Sequence, residues 1–299
     1  MSRPKVDPVA IGLAFVASYL WAAYYPFIVV VPASWDGAVL AFPFLFGALP
    51  LLALNAIRGR HGKETSPLSK NFLGMCLLGG AFMALLQLDV ILSTRAVGAV
   101  LTAIFTLLGD VVAIPLFSFL LWREGASRVL SWKFWLGAAV AAAGALLAIV
   151  GGGGDLPLGW RLLALELPIP LLVGAYFALV AQMTQKARID QVVGPVTLSG
   201  FLLSLLFLPL LGGPGQLVAP PAWVYVDLLA VGLTTFFIAP WAFFGAGKRV
   251  SIVIPSIVNA TIPIFTLLLM VGLLGTAITP LEVLGIPIAF GGAFLAILS

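Results

Sequence analysis

Acidic residues inside apolar stretches are where chemistry could reside in this sequence. A charge at the centre of a spanning helix costs at least about 2.5 kcal/mol, so each such residue needs a reason to be there. Asp110 is central in its apolar run, whereas Asp89, Asp227 and Glu282 lie near run ends, within reach of headgroups or water. Asp110 is therefore expected to avoid lipid, either lining a cavity or bonding to a neighbouring helix. Glu166 is intermediate, just ahead of Pro168 and Pro170. It is expected to cap a distorted helix or pair with Arg161, a functional role being the alternative. A second group flanks prolines: Pro255-Ser256 and Asn259-Ala260-Thr261-Ile262-Pro263. Proline removes a helix donor and favours a kink, leaving carbonyls that need a partner. These polar side chains either repair the kinked helix or face a solute. Gln87 suits the same wall. The aromatics Trp21, Tyr24, Tyr25, Tyr176, Phe177, Trp241, Phe243 and Phe244 either pack a core or contact a ligand, and buried Tyr and Trp need hydrogen-bond partners.

No catalytic constellation accompanies them. The one histidine, His61, falls in a basic loop, so no His triad or metal-binding His cluster can form. The run Gly151-Gly152-Gly153-Gly154-Asp155 is followed by no Lys-Ser/Thr pair and reads as a junction, not a phosphate loop. No enzyme activity, metal or cofactor is expected. An intramembrane enzyme would need a nucleophile–base or metal set at membrane depth. The net charge of +4 rests on 15 basic residues scattered through loops, which excludes the contiguous basic surface that nucleic acid requires. A single cysteine, Cys76, can form no intrachain disulfide.

The elements that position these residues are spanning helices. Sixty-two per cent of residues are hydrophobic and 9% charged, with mean hydropathy +1.18, which excludes an ordinary soluble domain. Ten apolar spans of membrane length are expected, at 8–31, 37–57, 71–92, 97–121, 134–151, 160–182, 194–212, 222–244, 250–273 and 280–298. The first follows Arg3 and Lys5 but is too long for a signal peptide's apolar region. With the N-terminus inside, the cytoplasmic segments hold thirteen of the basic residues and the outer ones only Arg95 and Arg161. Both termini are therefore expected in the cytoplasm. Tryptophans Trp35, Trp160 and Trp223 at one edge, and Trp122, Trp132 and Trp135 at the other, match an aromatic belt.

The chain also repeats itself. Gly144-Ala145-Leu146-Leu147-Ala148-Ile149-Val150 returns as Gly292-Ala293-Phe294-Leu295-Ala296-Ile297-Leu298, and Gly137 and Ala141 return as Gly285 and Ala289. Small residues at i, i+4 and i+7 make a helix face that allows close backbone approach, within one chain or between two copies of a homodimer. Five spans per half would place the halves in opposite orientation, and such inverted repeats commonly hold a site at their interface near the midplane.

This pattern resembles the EamA-domain family of the drug/metabolite transporter superfamily. An apolar helix with a proline, a short loop with Gly-Glu and a Gly/Ala-rich final helix make up its unit. Here Leu121-Trp122-Arg123-Glu124-Gly125 and Leu273-Leu274-Gly275-Thr276 occupy the loops. Pro263 fills the proline position of the second half, while the first-half position falls near Asp110 and Val111, without proline. Thr276 stands where Glu is usual, and Pro43-Phe44 where Arg and an aromatic often stand.

The resemblance implies an all-α integral membrane fold of ten transmembrane helices, two inverted five-helix repeats (8–151 and 160–298) around a central cavity. Spans 1, 3, 4, 6, 8 and 9 would enclose it, and 5 and 10 would be peripheral. It further implies a multi-pass protein of the bacterial inner (plasma) membrane that exports amino acids by alternating access, most like YddG-type exporters. The alternative is efflux of cationic drugs or another small metabolite. Its partners would be that solute and membrane lipid, with no cofactor. The expected substrate contacts are Trp21, Tyr25, Tyr176 and Trp241 for a bulky apolar part, and Gln87, Asn259 and Asp110 for a polar end.

Overall fold

The computed structural model describes residues 7–61, 70–123, 130–151, 165–218, 220–277 and 279–298. The expected junction at 152–155, Trp160, Arg161, and Glu124 with Gly125 lie outside the described residues. The elements are helical: α1 (Pro8–Val30), α2 (Ala33–Gly59), α3 (Asn71–Val97), α4 (Ala99–Trp122), α5 (Trp132–Gly151) and α6 (Pro168–Lys186). Then follow α7 (Ile189–Leu211), α8 (Ala222–Arg249), α9 (Val253–Asn259), α10 (Ile262–Leu274) and α11 (Pro280–Leu298). Among the described residues no strand occurs. Seven helices, α1–α4 and α6–α8, are long and apolar enough to cross a membrane. The spans expected at 134–151, 250–273 and 280–298 coincide with α5, with the pair α9–α10 and with α11, which are helical but not among those seven. Many large apolar side chains on the outer surface are exposed, including Leu120, Leu206, Leu210, Val226 and Leu273. Such a surface is stable in lipid and not in water.

Prolines shape the helices, but not uniformly. Pro43 and Pro50 lie inside a continuous helix, so no break follows from them. Pro115 and Pro240 have a different effect: each directly follows a π-helical segment, Gly109–Ala113 in α4 and Gly232–Ile238 in α8. In a regular helix the proline ring strikes the carbonyl four residues earlier. Widening the turn by one residue moves that carbonyl, Val111 or Phe236, out of the way. The rearrangement shifts bonding to i→i−5, seen as Ile114 N–H to Gly109 O and Ala239 N–H to Thr234 O. The next carbonyls, Asp110 O and Thr235 O, then oppose the nitrogens of Pro115 and Pro240, which carry no hydrogen.

The glycine face of α5 packs against that of α11. A Cβ at Gly144 would lie 2.2 Å from Ala289 N, and one at Gly292 would lie 2.2 Å from Ala141 N. The two contacts exchange into one another when 148 is added to or subtracted from each residue number. The small-residue faces are therefore used against each other within one chain. The same offset aligns Ile114-Pro115 with Ile262-Pro263, each pair opening a helical segment. At this offset Pro115 stands opposite Pro263, four residues beyond Val111, where the sequence was expected to lack the proline. A second crossing behaves alike: Gly47 meets Gly232 between α2 and α8, and Ser199 meets Gly80 between α7 and α3.

Ion pairs tie the ends of the bundle. At the N-terminal end Asp7 caps α1, accepting from Val9 N–H at 2.9 Å, and receives Arg249 Nη1 of α8 at 3.2 Å. Buried Asp190 takes Arg188 Nη2 at 3.0 Å and Arg58 Nη1 at 3.6 Å, joining α7 to α2. At the opposite end Arg95 Nη2 lies 2.7 Å from Asp36 Oδ1 and donates to Val31 O at 2.6 Å.

Two expectations follow. Gly144→Leu places a side chain on the backbone of α11 and should abolish monodisperse folded protein. Gly74→Ala, which meets nothing within 4 Å, should melt within about 0.5 kcal/mol of wild type; thermal unfolding in detergent distinguishes the two. For Asp7, desolvation raises the carboxyl, but the Arg249 side chain and the Val9 and Ala10 N–H groups together hold it below the usual carboxylate range. A depressed folded value means that the stabilisation is complete above the unfolded value and is lost as pH falls through the folded one. The melting temperature of Asp7→Asn should therefore differ from wild type at neutral pH and converge with it in acid.

Candidate functional site

A cavity of about 60 Å³ lies at the centre of the bundle. It is walled by Trp21, Tyr24 and Tyr25 of α1, Gln87 and neighbours of α3, Thr106 and Asp110 of α4, and Tyr176 and Phe177 of α6. Thr235 of α8, Asn259 of α9 and Ile262 of α10 complete it. The space holds a few waters; a metabolite enters only if the walls part. Among the described lining residues there is one carboxyl, and no lysine or arginine.

Asp110 is 1% exposed. Its Oδ1 accepts from Asn259 Nδ2 at 3.3 Å, and Asn259 Oδ1 accepts from Ser18 Oγ at 2.8 Å. The amide orientation follows from the chemistry, since a carboxylate oxygen needs a donor opposite it. This chain joins α4, α9 and α1, and Asp110 and Asn259 hold comparable places in it. Asp110 lies five residues before Pro115, across the π segment, and Asn259 four residues before Pro263. Each therefore also carries a main-chain carbonyl deprived of its helical donor. Asp110 Oδ2 has no partner, nor do Gln87 Oε1, Tyr24 Oη and Tyr176 Oη. These atoms come from four different helices.

The aromatic wall is likewise built from backbone geometry. Trp21 Nε1 donates to Thr235 O at 3.1 Å, supplying the hydrogen that Pro240 lacks. The ring then stands edge-on to Phe177 and Phe243, with centroids 5.3 and 5.2 Å away. Tyr176 packs on Phe177 at 4.8 Å. Tyr25 Oη lies 2.7 Å from Thr106 Oγ1, whose hydroxyl donates to Thr102 O at 3.1 Å.

Of the residues expected to contact substrate, the structure brings Trp21, Tyr25, Gln87, Asp110, Tyr176 and Asn259 to this cavity. Trp241 is not brought there. It is 39% exposed on the outer face of α8, because the buried Phe243 and Phe244 occupy the inward positions two and three residues on. Glu166 is buried at the end opposite the N-terminus, where Ser93 Oγ donates to its Oε1; its expected partner Arg161 lies outside the described residues. Sequence reasoning did not single out Ser18, Thr106 or Thr235. Spacing offered a signal for two of them: Ser18, Trp21 and Tyr25 fall at i, i+3 and i+7, and Thr102, Thr106 and Asp110 at i, i+4 and i+8.

Residues 165–298 match the model of the EamA-like transporter family. That segment is similar to an EamA-like domain. The whole architecture is similar to that of a solved protein titled "Crystal structure of protein", at 19% identity and a TM-score of 0.69. The similarity covers 97% of this chain and 98% of that one, so the fold continues through the half that precedes the EamA-like domain. No curated protein matches the sequence.

Trp21→Phe keeps the ring but removes the donor to Thr235 O, leaving a buried carbonyl unpaired. A loss of about 1–3 kcal/mol is expected, read as a lower melting temperature. Thr235→Ala, which leaves that carbonyl in place, should cost less.

Proposed function

We propose that the protein is a secondary transporter of the drug/metabolite transporter type, exporting small solutes that carry an amino group. The observation behind this reading is Asp110 Oδ2, unpartnered at the centre of an aromatic-walled cavity in a chain with an EamA-like domain. An α-ammonium fits against Asp110 Oδ2 and Gln87 Oε1. The hydroxyls of Tyr24 and Tyr176 supply donors for an α-carboxylate, and the faces of Trp21 and Phe177 take an aromatic side chain. Neutral, especially aromatic, amino acids satisfy all of these groups at once.

The transport cycle we infer is alternating access between two inverted five-helix halves, 8–151 and 160–298. The exchanging contacts of Gly144 with Ala289 and of Gly292 with Ala141 support that arrangement. The basic loop residues support cytoplasmic termini in a bacterial inner membrane. A second reading is efflux of cationic amines. It is favoured by the absence of lysine and arginine from the described lining, since such a solute leaves no carboxylate to be matched.

Labelled phenylalanine, threonine and a cationic dye should be tested separately with purified protein in liposomes. Saturable amino-acid flux without dye flux supports the first reading, and dye flux alone supports the second. Asp110→Asn keeps the bond to Asn259 and removes the charge. It should lower kcat/KM for either cargo by at least about tenfold, the worth of one charge-assisted hydrogen bond. Unchanged transport would show that Asp110 does not receive the ammonium.

A further inference from the structure

A second polar cluster lies along α4, away from the Asp110 chain and toward the end opposite the N-terminus. Three helices build it. From α3 come Asp89 and Ser93, one turn apart on the same face; from α4 comes Thr102; and Glu166 stands just ahead of α6. Gly98 draws the first two helices together. Its φ of 99°, open to glycine and strained for other residues, lets α4 begin one residue after α3 ends. Ser93 Oγ consequently lies 3.0 Å from Thr102 Oγ1 and also donates to Glu166 Oε1.

The cluster has more acceptors than donors. Glu166 is 0% exposed and its Oε2 has no partner; Asp89 Oδ2 is also buried and unpartnered. Asp89 lies close enough to act electrostatically on Glu166. Among the described residues the groups near Glu166 are Ser93 of α3, which donates to it, Thr102 of α4, bonded to Ser93, and Asp89 of α3, with the Tyr25 hydroxyl of α1 farther along and bonded to Thr106, and none of these is cationic. Arg95, also on α3, is engaged by Asp36 and Val31 O. A buried and a half-buried carboxyl without a counter-charge among the described residues are unstable in a medium of low dielectric. Two free carboxyl oxygens beside two hydroxyls are also the hard-oxygen donors that small cations take.

We propose that Glu166, Asp89, Ser93 and Thr102 form a monovalent-cation site, taking a sodium ion or a proton. Below it, Thr102, Thr106 and Asp110 descend one face of α4 at intervals of four residues, with Tyr25 bonded to Thr106. The site thus stands at the head of a polar stripe that ends at the candidate substrate carboxyl. Resting on the transporter reading above, the cation entering here is the counter-charge exchanged for the exported solute.

The site is tested without any cargo, by thermal unfolding of the purified full-length protein. A sodium chloride series is compared with choline chloride, and a series from about pH 5 to about pH 8 is run in choline chloride, with Glu166→Gln and Ser93→Ala alongside. A sodium site raises the melting temperature of wild type by roughly 5 °C at hundredfold excess over the dissociation constant, and leaves Glu166→Gln unmoved. A proton site gives no sodium response, but a wild-type melting temperature that falls more steeply with rising pH than that of Glu166→Gln, in which Asp89 and Asp110 remain. Identical responses of wild type and Glu166→Gln to both series overturn the proposal. Where Glu166→Gln does not fold, Ser93→Ala decides: it keeps both carboxyls and should shift the midpoint of the response severalfold, and an unchanged midpoint overturns the site. An intact cation response with no flux of any cargo would remove the transporter reading and leave the site standing.

Discussion

A proline in a membrane helix deletes one hydrogen-bond donor, and hydrocarbon offers no water to replace it. Much of the centre of this molecule is an answer to that deletion. Before Pro115 and Pro240 the helix widens into a π turn, and the carbonyl exposed opposite Pro240 is met by the indole of Trp21. Before Pro263 the chain breaks between α9 and α10, with Asn259 at the break. Asp110 and Asn259, each preceding its proline, hydrogen-bond to one another. The cavity forms where these weakened backbones converge, because that is where polar atoms can be left facing inward.

The same constraint explains what could be read from sequence. The cost of a charge in lipid places Asp110 in the interior, and it is buried there. Of the polar residues at the Pro263 break, Asn259 falls at the cavity, while Ser256 and Thr261 donate to carbonyls three residues back in their own segment. Sequence alone did not separate prolines at which the regular helix is interrupted from those at which it is not: Pro43 and Pro50 lie in an unbroken helix. Nor did it show the π segments, since an inserted residue looks like any other in an apolar run. The extra residue of the π segment in α4 sets Asp110 five residues before Pro115, where Asn259 is four before Pro263. Trp241 faces outward for a related reason. Beside a π turn the 100° periodicity no longer tells which aromatic points inward, and Phe243 and Phe244 take that role.

Electrostatics divides the molecule into layers. Fully paired ions hold both ends: Asp7 with Arg249 and Asp190 with Arg188 and Arg58 at one, Asp36 with Arg95 at the other. Between them the described acids Asp110, Glu166 and Asp89 have no basic partner. Cations near the ends are committed to structure, while carboxyls deeper in are left with open oxygens. Such a division leaves the described interior with open acceptor oxygens and no basic group beside them.

The contact between α5 and α11 has a consequence of its own. Because Gly144 touches Ala289 just as Gly292 touches Ala141, the two surfaces are copies of one shape, and that shape is its own complement. A seam of this kind can hold two separate half-length chains as readily as it holds two halves of one. The contact follows from the two helix faces alone, so reversing the order of α5 and α11 in a circular permutant should leave the seam intact.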